Sequence, residues 1–252
     1  MEAFEDVLGG VGMVDPVVDD GDDRIIVRPV STKGEAKKAR RLLIQEIADM
    51  GRATFPKDWI NADDRFGPTL VGAFLDDRLV GAALVGPAQE YAAALSATCR
   101  GVWPSRLLDD ALQLVGTEIA ETPGVAVVPD HRGEGIGLRL KRYCDLWAAQ
   151  HDACLVLSIP TNDAARHMNE KAGYDVLPPQ VALCIEVTDD DNAITCCFPI
   201  DGVVPDACWA FHIVAQPKWM PLAVGQGTVK GTGAHDDGGG ITPEWMYRAV
   251  VS

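Results

Sequence analysis

Residues 127 to 137 read Val127-Val128-Pro129-Asp130-His131-Arg132-Gly133-Glu134-Gly135-Ile136-Gly137. A β-branched run breaks at a proline, passes through three glycines at alternate positions and enters a segment whose apolar residues recur at helical spacing. The pattern predicts a strand, a loop and a helix start. Glycines leave the backbone N–H groups bare of side chains where a first helical turn has unpaired donors and the positive end of its dipole. Such a turn is an anion cradle, and a diphosphate is its natural guest.

The spacing narrows the choice of diphosphate. A dinucleotide turn needs G-x-G-x-x-G, but Leu138 stands three residues after Gly135. A P-loop needs Lys-Ser or Lys-Thr after its glycines, and none follows. The pattern that fits is R-x-x-G-x-G with a Val-x-Pro lead, carried by Val127, Pro129, Arg132, Gly135 and Gly137. This resembles the acyl-CoA pyrophosphate loop of the GNAT superfamily, the acyl-CoA-dependent N-acyltransferases. A second stretch follows after a helix and an apolar run, from Asn162 to Tyr174, reading NDAARHMNEKAGY. It is similar to the superfamily's N-x-x-A-x-x-x-Y-E-K-x-G-F/Y motif through Asn162, Ala165, Glu170, Lys171, Gly173 and Tyr174. One major position departs: Asn169 stands where the superfamily places tyrosine.

The resemblance implies a mixed α/β (α+β) fold: a mostly antiparallel central sheet of six to seven strands flanked by helices. Three regions follow. Residues 1–23 form an acidic tail, 24–187 the acyltransferase domain with an insertion at about 87–122, and 188–252 a C-terminal extension with further strands. Along the chain, residues 24–30 read as a strand, 34–50 as an amphipathic helix, and two β-prone runs flank the turn residues Asp76 and Asp77 as a hairpin. In the insertion, Ser105 caps a helix whose Leu108, Leu112, Val115 and Ile119 make one apolar side. The helix from Glu134 buries Ile136, Leu140 and Trp147. Its Arg139, Lys141 and Arg142 read either as a solvated face or as neutralisers of cofactor phosphates. Runs at 153–159, 181–187, 193–198 and 208–214 are further strands, one or two of which close the sheet. The extension, with its glycine-rich stretch GQGTVKGTGAHDDGGG, either packs on the domain or mediates a homodimer contact.

The chain of 252 residues is 47% apolar, enough for a proper core. Its net charge of −15 is uneven: residues 1–23 hold eight carboxylates and no Lys or Arg, which leaves 29 acidic against 22 basic residues elsewhere. An acidic body argues against a nucleic-acid surface and suits an amine substrate. Neither a membrane span nor a signal peptide is readable, so the expected setting is the cytoplasm. Seven cysteines scattered through apolar runs read as small buried hydrophobes in a reducing compartment, with neither a disulfide frame nor a metal site.

The chemistry implied by the resemblance is transfer of an acetyl or other short acyl group from acetyl-CoA (acyl-CoA), as co-substrate, to a primary amine of a small molecule or a protein. The resemblance places acyl-CoA against Val127 and Val128, the loop from Arg132 through Gly133, Glu134, Gly135, Ile136 and Gly137 to Leu138, and Asn162 and Asn169. The main-chain N–H of Val127 or Val128 would receive the oxyanion. Glu121 is the candidate base, on the expectation that positions 121, 123, 125 and 127 share a strand face unless Pro123 interrupts it; Glu118 or a water chain is the alternative, and a structural glutamate the plainer reading. An amide releases no proton, so with Asn169 in place of tyrosine another hydroxyl such as Tyr91 or Ser158 substitutes, water protonates the thiolate, or the chain is a catalytically silent acyl-CoA-binding regulatory module. Asn162 reads as a helix N-cap, as a contact to the pantetheine arm, or both.

Overall fold

The computed structural model describes residues 24–47, 50–51, 55, 66–99, 105–188, 193–198, 204, 206–219, 221–229 and 241–249. The acidic tail at 1–23 and most of the glycine-rich stretch, 230–240, lie outside the described residues. The elements run β1 (Ile25–Pro29), α1 (Lys33–Glu46), β2 (Thr69–Leu75), β3 (Arg78–Pro87), α2 (Gln89–Cys99), α3 (Ser105–Glu118), β4 (Ile119–Val127), a 3-10 turn (Pro129–His131) and α4 (Ile136–Gln150). They continue as β5 (Leu155–Ser158), α5 (Asp163–Ala172), β6 (Asp175–Val176), β7 (Ala182–Thr188), β8 (Ala193–Phe198), β9 (Ala210–Ile213), β10 (Leu222–Val229) and β11 (Ile241–Ala249).

Local chemistry explains the boundaries. Asp76 and Asp77 take left-handed φ values of 47° and 62°, as a two-residue hairpin turn between β2 and β3 requires. Thr32 caps α1 by accepting from the Glu35 N–H at 3.1 Å. Arg28 then grips the Glu35 carboxylate at 2.9 Å and holds it well below the usual range, at about 2.

Seven strands form one sheet in the order β1-β2-β3-β4-β5-β9-β6, antiparallel at every step except β4–β5. Four more form a second sheet, β11-β10-β7-β8. The mixed, mostly antiparallel α/β sheet is therefore as expected, but the chain crosses between sheets. β9 closes the first sheet while β7 leaves it, so the expected boundary at 187/188 does not coincide with a division between sheets. The insertion holds two helices, α2 and α3, where the sequence pattern shows one.

Alternate strand residues pack helices on both faces of the first sheet. On one face Ala36, Ala39 and Leu43 of α1 meet Leu84 and Ala126; on the other Ile136, Leu140 and Cys144 of α4 meet Val85, Ala120 and Val156. Gly81 permits the second contact: a Cβ there would lie 2.9 Å from both Ile136 and Leu140. A third cluster joins α3 to β5, β9 and the inner side of the second sheet.

Two expectations need correction. Cys184 and Cys197, directly opposite on β7 and β8, form a disulfide; Cys144, Cys154, Cys196 and Cys208 are buried and lie outside it. Nothing in their spacing marks the pair, because opposition across a hairpin depends on register. Arg139 and Lys141 are buried and line neither a solvated face nor the loop. Arg139 donates to the Ile25 carbonyl at 2.7 Å, and the Lys141 ammonium sits 4.1 Å from the Tyr174 ring centre. The α4 helix is covered on more sides than its apolar stripe reveals.

Candidate active site

The site begins where two strands part. β4 pairs with β3 from Ala120 to Val127 but with β5 only over Ile119–Glu121. Beyond Glu121↔Leu157 the β4 edge faces an opening, with the Ser158 hydroxyl donating to the Thr122 carbonyl (3.4 Å) at its apex. Val128 N–H donates to Val80 O at 2.9 Å. In an antiparallel ladder successive peptide groups point to opposite edges, so the N–H groups of Val125 and Val127 turn towards the opening. Of the two oxyanion candidates, Val127 faces the gap and Val128 is tied to β3.

The β4 strand also carries an irregularity. Leu84 stands opposite Gly124 and Gly86 opposite Glu121, so Thr122 and Pro123 together face Val85. Pro123 has no N–H for the ladder, which is where a bulge is tolerated. The extra residue reverses the alternation: Ala120, Val125 and Val127 lie on the α4 side, whereas Ile119 and hence Glu121 lie on the other. The expectation that positions 121 and 125 share a face is thereby corrected. Glu121 shares its face with Gly124, where a Cβ would meet Ile47 and Met50 from the end of α1.

At the far end of β4 the chain enters α4 without a side-chain cap. The cap residue is Gly135, at φ 78°, and Gly133 before it lies at φ 85°; a Cβ added at either meets nothing within 4 Å. The left-handed backbone accounts for glycine here, and the open space around it is the cradle that side chains would fill. The first-turn amides of Gly135, Ile136, Gly137 and Leu138 have no intrahelical acceptor by position. A diphosphate fits this set: bare donors, the positive end of a 15-residue helix, and room.

These amides open on a groove of about 650 Å³ whose walls are Val125–Val127 of β4, the Arg132–Leu138 region and one side of α5. Arg132 Nε reaches the Val127 carbonyl at 3.3 Å, and its guanidinium pairs with Glu46 at the end of α1. Arg78 donates to His131 Nε2 at 2.9 Å, and His131 Nδ1 lies 3.1 Å from Glu134, a chain that fits the tautomer protonated at Nδ1 and braces the loop. Glu46, Arg78 and His131 carry no sequence signal for these roles; their neighbours lie 86, 53 and 3 residues away.

The second motif divides between groove and core. Asn162 lines the groove and caps α5, accepting from the Ala165 N–H at 2.9 Å. Gly173 ends α5 at φ 94°, as a C-terminal glycine does. Asn169 is buried outside the groove lining, donating to the Ala165 carbonyl at 2.8 Å, with no hydrogen-bond partner for Oδ1 among the described residues. Tyr174 donates to Asp145, which also receives His212 Nδ1 at 3.2 Å; burial holds the phenol well above its usual pKa. Under the same sheet, burial pushes the Lys141 ammonium down to about 8, partly offset by Asp145.

The remaining candidates are spread apart. Glu118 is buried at the end of α3, just before β4 and roughly 30 Å of chain from Val127, with its carboxylate accepting from the Lys218 N–H at 2.8 Å and its pKa raised by burial. Tyr91 packs on Phe198 and Trp209 beside the second sheet. Ser158 alone of the substitute hydroxyls is at the strand fork. Among the described residues no group of three or more His, Cys, Asp or Glu is placed to hold a metal, and no helix is long and apolar enough to cross a membrane.

A family model described as the acetyltransferase (GNAT) family matches residues 42–174, more than half of the chain. No curated relative matches the sequence. Similar solved structures include a GNAT family acetyltransferase from Elizabethkingia anophelis with acetyl-CoA bound, at 13% identity, covering 76% of this chain and 99% of that one, TM-score 0.46. Ard1 from Thermoplasma volcanium is similar at 12% identity, 77% and 99% coverage and TM-score 0.48. The ribosomal-protein-S18-alanine N-acetyltransferase from Escherichia coli is similar at 11% identity, 76% and 95% coverage and TM-score 0.44.

Proposed function

The chain belongs to the acetyltransferase (GNAT) family, and on that premise we propose that it is an N-acetyltransferase moving an acetyl or other short acyl group from acyl-CoA to a primary amine of a small molecule or protein. The observation that carries this reading is the uncapped, glycine-lined start of α4 opening on a groove beside the unpaired edge of β4.

In this reading the amides of Gly133 to Leu138 bind the diphosphate, Arg132 adds charge once released from Glu46, and Val127 and Asn162 flank the pantetheine arm. Acetyl-CoA supplies the acyl group as a thioester. An alkylamine with a pKa of roughly 10.4 is almost wholly protonated at neutral pH, so the site must take its proton. Glu121, at the strand fork and on the α1 face, takes that role directly or through water. The amine nitrogen bonds to the acyl carbon, the carbon–sulfur bond breaks with its electron pair to sulfur, and the proton lost by nitrogen balances the thiol released. Val127 N–H points to where negative charge gathers on the acyl oxygen. Ser158, at the apex, is placed to protonate the leaving sulfur; Asn169 cannot.

The purified chain, incubated with acetyl-CoA and a panel of polyamines, amino acids, aminoglycosides and lysine peptides, is expected to release thiol with at least one acceptor. No release above background with any would sink the catalytic reading. Asn169 favours one rival, a silent acyl-CoA-binding module: calorimetric CoA binding without turnover would establish it. The cytoplasmic setting is supported by the buried thiols of Cys144, Cys154 and Cys208 and opposed by the Cys184–Cys197 disulfide; thiol titration of freshly isolated protein, with and without reductant, decides whether that bond is closed in the cell.

A further inference from the structure

One surface of this acidic chain has the opposite sign. The α1 helix carries Lys33, Lys37, Lys38, Arg40 and Arg41, and both of its acids are engaged: Glu35 by Arg28 and Glu46 by Arg132. Among the described residues Lys33, Lys37, Lys38 and Arg41 have neither an ion-pair partner nor a side-chain hydrogen bond. Two depressions follow the helix. One of about 520 Å³ is lined by Lys33, Lys37, Arg40 and Arg41; the other, of about 390 Å³, by Lys37, Lys38, Arg41 and Arg78. Among the described residues neither has an Asp or Glu in its lining.

The surface leads to the proposed site. The second depression includes Val128 and Gln45, whose neighbours Val127 and Glu46 line the cofactor groove. The end of α1 lies over Gly124, on the face of β4 that carries Glu121. We propose, resting on the acetyl-transfer reading, that the acceptor is the amine of an acidic peptide whose carboxylates lie along the cationic face of α1 while its amine reaches Glu121. Spacing selects a peptide over a single small anion. Cations at i and i+4 on a helix are about 6 Å apart, close to the ~6.6 Å between alternate side chains of an extended chain. From Lys33 to Arg41 the helix rises ~12 Å, room for several carboxylates in succession. From Arg41 to Ile47 is a further ~9 Å, or about three extended residues. Ile47 lies over Gly124, three residues along β4 from Glu121, so the acidic run starts at least three residues from the amine. A long polyanion such as nucleic acid would meet the rest of a chain with net charge −15; a short acidic segment meets only the patch.

The test uses the full chain, acetyl-CoA and a trio of octapeptides with free amino termini and Ala-Gly-Ser at the start. They differ at positions four, six and eight, which carry glutamate, glutamine or lysine. The glutamate peptide is expected to exceed the glutamine peptide by about tenfold in kcat/KM, mostly through KM, and to lose that lead in high salt. The double variant Lys37→Glu/Arg41→Glu should reverse the order in favour of the lysine peptide, with CoA affinity and melting temperature close to the parent. Equal kcat/KM for all three, or an unchanged order in the charge-swapped variant, overturns the acidic-peptide assignment and leaves acetyl transfer standing. A glutamate preference that appears only after deletion of residues 1–23 also overturns it, assigning the face to the chain's own acidic head. Failure to acetylate any amine at all, with CoA bound, removes the underlying transfer reading instead.

Discussion

Two helices begin at the same groove and treat their first amides in opposite ways. At α5 the Asn162 side chain accepts from the Ala165 N–H at 2.9 Å and closes that end with the protein's own oxygen. At α4 the cap is Gly135, which has no side chain to offer, and the donors stay open. Both termini line one cavity. A helix start capped by its own side chain has spent that donor, whereas one left bare in glycine keeps its donors open to an outside anion.

The strongest way to break this contrast is to fill the cradle. Gly135→Val forces a β-branched residue to φ 78° and places methyl groups where nothing now lies within 4 Å. Two charge-assisted hydrogen bonds lost at ~1.5 kcal/mol each predict a fall in CoA affinity of about 100-fold. Calorimetry checks the affinity; circular dichroism checks that the fold persists despite about 1–2 kcal/mol of backbone strain. Affinity within threefold of the parent would show that the α4 start is not the phosphate site.

Deeper in α4 the contrast sharpens, because buried groups there should govern stability without touching CoA. Lys141 titrates at about 8 in the fold against an ordinary 10.5, so between those values the unfolded chain holds more protons and stability rises with pH. Burial lifts Cys144 and Cys154 to about 12 from 9.0; above pH 9 the folded state holds more protons and stability falls. Between pH 8 and 9 the lysine adds ~1 kcal/mol and the two thiols take back ~0.7, so stability from these groups climbs by ~0.3 kcal/mol and then declines. Denaturant titrations should show that shoulder, and Lys141→Met should erase it while leaving CoA affinity unchanged.

Smaller effects test the edges. Asn162→Ala is expected to cost ~1 kcal/mol of stability, seen as a melting temperature lower by about 2–4 °C, with CoA affinity changed by less than threefold. A tenfold loss of affinity would instead give Asn162 a direct contact with the cofactor arm. Smallest is Glu46→Gln, which frees Arg132 from a partly exposed ion pair worth ~0.5 kcal/mol and should raise CoA affinity about twofold. A fall would mean that Glu46 positions Arg132 rather than competing for it.

The loop and the second motif were legible because their chemistry is local: glycine at left-handed positions, Asn162 three residues before the amide it caps, Asp76-Asp77 in a tight turn. What depends on distant pairing was not. The runs at 181–187 and 208–214 are alike in length and apolarity, yet only the second closes the main sheet, since pairing partners far along the chain decide the choice. The face of Glu121 turned on a bulge for which Pro123 was the one hint. Lys141 read as a surface or phosphate-facing cation because helical periodicity reports one buried stripe, and here a tyrosine ring from beyond α5 covers a second side. The Glu46–Arg132 pair joins residues 86 apart and left no trace in the pattern.

The central claim is that the amides at the start of α4, and not those at the start of α5, grip the diphosphate. Amide chemical shifts of the isotopically labelled full chain, followed while CoA is added, test it most directly. Large downfield movements are expected for Gly133, Gly135 and Gly137, with Ala165 nearly still because its N–H stays bonded to Asn162. Still glycine resonances in protein saturated with CoA, or the largest movements at Asp163 to Ala165, would contradict it.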